Sequence, residues 1–158
     1  MPYDAVIVSP IGPLGLRCEG GRLAEIDFLP ADHPLQAPTG PFPQRVAERL
    51  KAYFKDPNTR FDLPLTPAAT AFQQRVREAM LAIPVGQTRS YGDIARRLHS
   101  APRPVGGACR HNPVPIIVPC HRVLAAAGLG GYGGETQGPG LDIKRWLLCH
   151  EGTPFPDA

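Results

Sequence analysis

Two short helices are predicted in the stretch Thr88-Arg-Ser-Tyr-Gly-Asp-Ile-Ala-Arg-Arg-Leu-His-Ser-Ala-Pro-Arg-Pro-Val-Gly-Gly-Ala-Cys-Arg110. Ser90 and Asp93 stand at capping-box spacing, with Asp in place of the usual Glu, so the first helix is predicted to begin just after Ser90. The second is predicted to run from Arg103 to about Arg110, with a proline near its start. Two helices joined by a short turn, the second small and flanked by arginines, fit a helix-turn-helix.

The second of these helices contains two adjacent glycines, Gly106 and Gly107. Glycine inside a helix is destabilising by about 1 kcal/mol relative to alanine, so the pair calls for another reason. Two interpretations are open at this point. The glycines allow close approach to another backbone, such as that of nucleic acid, or they allow one helix to pack closely on another.

Charge is distributed unevenly along the chain. Residues 1–65 contain seven Lys and Arg against eight Asp and Glu, and residues 66–158 contain ten against six. Seven arginines fall between Arg75 and Arg110, where Glu78 and Asp93 are the acidic residues. This local basic character suits phosphate groups, although a solvated helix surface would have the same composition.

Beyond the helix pair, the apolar run Ile116-Ile-Val-Pro-Cys-His-Arg-Val-Leu124 surrounds a single cysteine. Cys120 stands beside a proline, an imidazole and a guanidinium, which lower a thiol's pKa or position it for attack. Adjacent residues of a strand point to opposite faces, so contact between Cys120 and His121 requires a turn or a bridging water. From these residues alone, a nucleophilic thiol and a buried inert thiol both remain open.

The rest of the chain predicts a mixed α/β protein. Residues 4–29 consist of short apolar runs with a hairpin turn at Gly20-Gly21. Apolar stripes at helical spacing predict further helices over residues 44–55, 66–83 and 141–150. In the second of these, Thr66 is the predicted N-cap and Pro67 the first helical residue.

Length and composition narrow the class of protein. A chain of 158 residues can form one or two compact domains. It has no apolar run of about 18 residues, and no signal peptide is evident at its start, so no membrane association and a cytoplasmic location are expected. The four cysteines show no metal-ligand spacing, so we expect reduced thiols and no metal site.

Taken together, these segments resemble the O6-alkylguanine-DNA alkyltransferases, DNA-repair proteins that move an alkyl group from guanine onto a cysteine. The resemblance covers most of the chain and is densest from Phe72 to Gly152. The matching segments are Ser9–Leu14, Thr88–Ala95, Arg103–Ala108, Asn112–Val123, Gly131–Gly134 and Lys144–Gly152. The resemblance implies an α/β fold with a small RNase H-like N-terminal domain, residues 1–63, followed by a winged helix-turn-helix domain, residues 64–158.

The resemblance also implies roles for individual residues. Cys120 is the implied alkyl acceptor, His121 the base that takes its proton through a water, and Glu151 the carboxylate that orients His121. Asn112 is implied to tie the helix-turn-helix to the active-site segment. Tyr91 is implied to crowd a DNA phosphate and to donate a proton to the departing guanine.

A DNA surface and a guanine pocket follow from the same resemblance. Arg103 is implied to enter the duplex and fill the space of the extruded base. The implied DNA contacts are Tyr91, Arg103, Gly106, Gly107, Ala108 and Arg110. The implied pocket residues are Pro115, Val118, Val123, Tyr132 and Gly134. Without the resemblance, each of three residues also has a simpler interpretation. Glu151 fits a carboxylate at the end of a helix, and Tyr91 fits an aromatic side chain packed in the core. Arg103 fits a contact to a DNA phosphate without insertion into the duplex.

The implied function is direct reversal of damage in duplex DNA. An alkyl group would move irreversibly from O6-alkylguanine, and from O4-alkylthymine, to Cys120 after the base is flipped out. A monomer without a cofactor, acting once, is expected. Two other classes remain open: a non-enzymatic winged-helix module with an unreactive Cys120, and a cysteine hydrolase.

Two features depart from the family pattern. Arg77 stands where relatives often carry tryptophan. The spacer from Glu135 to Ile143, between the glycine-rich loop and the last helix, is longer than in many relatives.

Overall fold

The computed structural model describes residues 2–126, 128–132 and 139–155. The chain divides into two compact units after Thr66, three residues beyond the predicted boundary at 63/64. Gly134, one of the predicted pocket residues, lies outside the described residues, as do residues 135–138 of the long spacer.

The first unit is built on a three-stranded antiparallel sheet. Its strands are β1 (Ala5–Ile7), β2 (Leu14–Glu19) and β3 (Arg22–Phe28), in that order across the sheet. The turn between β2 and β3 is the predicted one at Gly20-Gly21, where φ is +55° and +76°, conformations that glycine adopts without strain.

One helix, α1 (Pro41–Lys55), belongs to the same unit. It begins three residues before the predicted start at 44. The additional residues include prolines, which the first turn of a helix tolerates because no intrahelical N–H bond is needed there. Val46 and Leu50 on the helix and Leu16 and Leu23 on the sheet are fully buried, so these apolar side chains form the core of the first unit.

The second unit opens with α2 (Ala71–Leu81), and here the sequence prediction of the helix start was wrong. The N-cap is Thr70, whose hydroxyl accepts a hydrogen bond from the Gln73 N–H at 3.1 Å. Thr66 instead donates its backbone N–H to the Leu23 carbonyl at 2.9 Å. Its backbone is therefore extended beside β3, and the helix begins at the second available threonine.

The predicted helix pair is present as α3 (Tyr91–Arg97) and α4 (Pro102–Arg110). The capping box is confirmed: Asp93 N–H donates to the Ser90 hydroxyl, and Ser90 N–H donates to the Asp93 carboxylate, both at 2.9 Å. Val105 and Cys109 form the buried side of α4.

A short parallel ladder joins the start of α3 to the cysteine-bearing segment. It pairs β4 (Arg89–Ser90) with β5 (Val123–Leu124). The last helix, α5 (Pro139–His150), begins two residues before the predicted start, so the described part of the long spacer, residues 139–143, is helical. Leu141, Leu147 and Leu148 on α5 are buried.

Candidate active site

Cys120 begins a 3-10 turn, Cys120–Arg122, between Pro119 and β5. A direct contact between Cys120 and His121 requires a turn at Cys120, and the structure contains such a turn. Its first backbone N–H donates to the Val118 carbonyl at 2.8 Å. All three side chains of the turn are buried, with Cys120 7% exposed and His121 fully enclosed. The turn thus places a thiol, an imidazole and a guanidinium in the interior of the second unit.

The Cys120 thiol lies in surroundings that keep it protonated at rest. Burial raises its pKa, and Asn112, the positive charge of Lys144 and Tyr132 oppose that rise. Because burial is the largest of these effects, the thiol needs a base to become a nucleophile.

His121 is paired with Glu151, which directly follows α5. Its Nε2 lies 2.9 Å from the Glu151 carboxylate, and both side chains have no exposed surface. Burial lowers the pKa of His121 and the Glu151 carboxylate opposes that change. Nδ1 of the ring has no hydrogen-bond partner among the described residues. One ring nitrogen is thus held by a carboxylate while the other is left for a proton.

The guanidinium of Arg122, which follows Cys120 by two residues, binds a carboxylate and a backbone carbonyl. Its Nε and Nη2 donate to the two oxygens of Glu151 at 2.9 and 3.0 Å, and its Nη1 donates to the Ile83 carbonyl at 2.6 Å. A guanidinium fork matches a carboxylate in this geometry. Arg122 therefore fixes Glu151 rather than activating Cys120 directly.

Asn112 connects the end of α4 to the cysteine segment. Its amide Nδ2 donates to the Val118 carbonyl at 2.9 Å, and its Oδ1 accepts from the Val114 N–H at 3.1 Å. The same side chain acts to lower the pKa of the Cys120 thiol. These contacts shape the loop that leads into the turn.

Tyr91, the first residue of α3, lies against the glycine-rich segment. A Cβ added at Gly130 would come within 3.0 Å of the Tyr91 ring and 3.1 Å of the Ala125 nitrogen, and the φ of +74° would strain a side chain as well, so glycine suits this close approach. Burial, followed by the thiols Cys109 and Cys120, raises the pKa of Tyr91 to about 12, so the hydroxyl keeps its proton at neutral pH.

Lys144 is a buried charged residue to which the sequence prediction gave no role. It is fully buried on α5, and its Nζ donates to the carbonyls of Val123, Leu129 and Gly131 at 2.8, 2.6 and 3.0 Å. Burial lowers its pKa to about 8. The sequence does contain a signal for it, because Lys144 occupies the same helical stripe as Leu141 and Leu148.

The predicted DNA contacts on α4 form an open surface. Arg103, Gly107 and Arg110 are exposed. A Cβ built on Gly106 or Gly107 would meet no atom within 4 Å, so close helix packing does not explain the glycine pair. Of the two interpretations of these glycines, this open surface agrees with close approach to an external backbone.

The predicted pocket residues that the structure describes are all buried. They are Pro115, Val118, Val123 and Tyr132. Tyr132 acts to lower the pKa of the Cys120 thiol, against the larger effect of burial, and the Val123 carbonyl is bound by Lys144. Two of the four are therefore linked to Cys120 or to Lys144.

Arg77, one of the two departures from the family pattern, does not lie with the residues around Cys120. This arginine is 6% exposed and lines a cavity of about 330 Å³ between α2 and α4, together with Met80 and Ala108. Asn112 and Val118 reach its wall, but Cys120 does not. The cavity is therefore not the site of the thiol chemistry.

Metal-binding and membrane-spanning features are absent from the parts of the chain that the structure describes. Within residues 2–126, 128–132 and 139–155, no three His, Cys, Asp or Glu side chains are grouped so as to hold a metal ion. In those same residues, no helix combines the length and apolarity needed to cross a bilayer.

Comparison with known proteins matches this arrangement to one family. The family model described as "6-O-methylguanine DNA methyltransferase, DNA binding domain" matches residues 71–153, more than half of the chain. The methylated-DNA–protein-cysteine methyltransferase of Mycobacterium bovis is 46% identical, over 99% of this chain and 96% of its own. The protein of the same name from Methanosarcina acetivorans is 40% identical, over 96% and 99%.

Solved structures give the same match. The Mycobacterium tuberculosis O6-methylguanine methyltransferase has a TM-score of 0.80 at 40% identity, covering 100% of this chain and 97% of that one. A Mycobacterium tuberculosis structure in complex with DNA has a TM-score of 0.78 at 44% identity, covering 92% and 90%.

Proposed function

The chain belongs to the O6-methylguanine-DNA methyltransferase family, and from that premise we propose that Cys120 is the residue that accepts the alkyl group. The activity is direct reversal of DNA damage, in which an alkyl group moves from DNA to a cysteine of the protein. The observation that carries the choice of Cys120 is the buried series Cys120, His121, Glu151 and Arg122, because it supplies a base and holds that base in place.

His121 is the proposed base. A carboxylate only accepts hydrogen bonds, so Nε2 of His121 must carry the proton shared with Glu151, which leaves Nδ1 as the basic nitrogen. Its lowered pKa keeps the imidazole neutral and able to take the Cys120 proton through a water molecule. Glu151, itself held by Arg122, then stabilises the imidazolium that forms.

The transfer step forms one bond and breaks one. The Cys120 thiolate attacks the alkyl carbon, the bond from that carbon to O6 breaks, and its electron pair stays with the guanine. Tyr91 is the proposed proton donor to the departing guanine, since its raised pKa keeps the hydroxyl protonated. The thioether that forms on Cys120 is stable, and we propose that each molecule therefore reacts once.

Access to the reacting carbon is proposed to depend on α4. An alkyl group on O6 lies inside a stacked duplex, and flipping the nucleotide out costs a few kcal/mol. The glycine surface of α4 is open enough for DNA to approach closely, and Arg103 is exposed beside it. We assign Arg103 to the space that the extruded base leaves in the duplex. The other proposed contacts, to the strand around that space, are made by Tyr91, Gly106, Gly107, Ala108 and Arg110.

The substrates are O6-alkylguanine and O4-alkylthymine in duplex DNA, and the guanine lies against Pro115, Val118, Val123 and Tyr132. The first unit is RNase H-like, which its antiparallel sheet and single helix support. The second is a winged helix-turn-helix, which the α3–α4 pair and the β4–β5 ladder support. The protein works as a cytoplasmic monomer without a cofactor.

The proposal is tested by incubating the protein with excess duplex that contains a single O6-methylguanine. We expect the intact mass of the protein to rise by one methyl group, with one methyl lost from DNA for each protein molecule. No methyl uptake while DNA is still bound would identify a binding module. Release of many alkyl groups by each protein molecule would identify a hydrolase.

A further inference from the structure

Lys144 is a buried cation with an unusual set of partners. Buried lysines are normally paired with a carboxylate, because an uncompensated charge in the protein interior is costly. Among the described residues, no carboxylate lies within ion-pair distance of Nζ, and its three donors all bind backbone carbonyls. A charge buried in this way costs stability, and a functional role would account for its presence.

The three carbonyls identify what the lysine holds. Val123 directly follows the turn that contains Cys120, and Leu129 and Gly131 lie in the glycine-rich segment that leads to Tyr132. One ammonium therefore ties the backbone after the thiol to the backbone before a proposed pocket residue. Glycine-rich backbone has few side-chain contacts of its own, so an external tie is needed to fix it.

Helix geometry connects Lys144 with the base. Lys144 and Glu151 are seven residues apart, about two helical turns, and so face the same side of α5 and its end. Glu151 binds His121, within the turn, and Lys144 binds Val123, just after it. One helix therefore holds the cysteine segment at two points.

The charge of Lys144 also acts on the reacting group. Cys120 and Cys109 are the titratable groups that raise the pKa of Lys144, and the lysine in turn lowers that of Cys120. Its charge also disfavours protonation of His121, although Glu151 has the larger opposite effect. When Cys120 loses its proton, the thiolate and the ammonium become a pair of opposite charges in the interior.

Resting on the proposed function, we infer that Lys144 is a positioning residue for alkyl transfer. Its ammonium ties the backbone at Val123 to the backbone at Leu129 and Gly131, and its positive charge stabilises the thiolate. The effect is on the thiol and the guanine pocket, and not on DNA affinity.

The test compares Lys144→Met with Lys55→Met, which removes an exposed lysine. In the full-length protein without DNA, iodoacetamide alkylation of Cys120 is followed against pH by mass spectrometry. We expect Lys144→Met to move the midpoint about one pH unit higher, a tenfold effect on thiolate formation. We expect transfer from O6-methylguanine duplex and from free O6-benzylguanine to slow by a similar factor, about tenfold or more, with unchanged DNA affinity. Lys55→Met should match the wild type.

An unchanged alkylation profile, or unchanged transfer rates, in folded Lys144→Met would overturn the inference, even if the variant melts at a lower temperature. Slower transfer from duplex alone would also overturn it, because the defect would then lie in DNA handling. If Lys144→Met does not fold, Lys144→Arg decides. That variant retains the charge but not the three-carbonyl geometry, so we expect an unchanged alkylation midpoint and slower transfer. A wild-type rate there would contradict the positioning role.

Methyl uptake by the wild-type protein separates the two proposals. If the wild type takes up a methyl group on Cys120 and Lys144→Met does so equally fast, the inference about Lys144 fails alone. If the wild type takes up none, the proposed function fails first.

Discussion

The molecule contains two Cys-His pairs that are alike in sequence and different in surroundings. Cys120-His121 lies in a buried turn, whereas Cys149-His150 lies at the end of α5, where Cys149 is exposed. His121 bonds the Glu151 carboxylate at 2.9 Å, whereas His150 stacks on the Trp146 ring with centroids 4.9 Å apart. Glu151 directly follows His150 in the chain but serves His121. The contrast predicts that a histidine next to a cysteine does not by itself make the thiol reactive, and that a carboxylate fixed in a buried site is also needed.

Removing the two thiols in turn should give the largest contrast. Cys120→Ser is expected to abolish methyl uptake from O6-methylguanine duplex while DNA binding is retained, because hydroxyl oxygen is a much weaker nucleophile at neutral pH than thiolate sulfur. Cys149→Ser is expected to react like the wild type. Intact mass and peptide mapping give both results, and a methyl group found on Cys149 would reverse the comparison.

Removing the two imidazoles should give the next largest contrast. His121→Ala is expected to slow single-turnover transfer by about 10²–10⁴-fold, the usual contribution of a general base. His150→Ala is expected to leave the rate unchanged. Similar rate losses in both variants would show that neither ring is the specific base.

The sequence predicted the part of this site that depends on local pattern. The spacing of Ser90 and Asp93 gave the correct start of α3, since a capping box involves neighbours in the chain. Thr66 was mistaken for the N-cap of α2, because the sequence does not reveal that its backbone is bound to Leu23. Tertiary pairing decided between two threonines that are equally good caps.

The sequence was less informative about where long side chains point. Arg122 next to Cys120 was interpreted as activating the thiol, yet its guanidinium binds Glu151, 29 residues away in the chain. Lys144 was missed because a lysine on an apolar stripe has no local partner that would explain it. Roles such as those of Cys120, His121 and Glu151 came from resemblance to a family and remain proposals.

Removing either of two guanidinium groups, the buried one of Arg122 or the more exposed one of Arg145, tests how Glu151 is held. Arg122→Met leaves a buried carboxylate without its bidentate partner, and we expect the free energy of unfolding in urea to fall by about 3–5 kcal/mol. Arg145→Met removes a largely exposed pair with Asp142 and is expected to change it by less than about 0.5 kcal/mol. Equal changes would mean that Arg122 does not stabilise the buried site.

The pH dependence of transfer should show the smallest effect. The active form of His121 is neutral, and burial places its pKa below the ordinary 6.5. As pH falls, the rate should therefore hold down to about pH 6.5 and decline only below it, when the imidazole becomes protonated. Single-turnover rates between pH 5 and 8 measure this, and a decline that is already half complete at pH 7 would contradict a buried, neutral base.

In the proposed mechanism, Glu151 serves the chemistry on Cys120 and not the binding of DNA. The most direct measurement is the single-turnover rate of Glu151→Gln against the concentration of O6-methylguanine duplex, compared with the wild type. One curve gives both the maximal transfer rate and the half-saturating DNA concentration. We predict that the maximal rate falls by orders of magnitude while the half-saturating concentration stays the same. A wild-type maximal rate, or a loss that appears only as weaker saturation, would contradict the account.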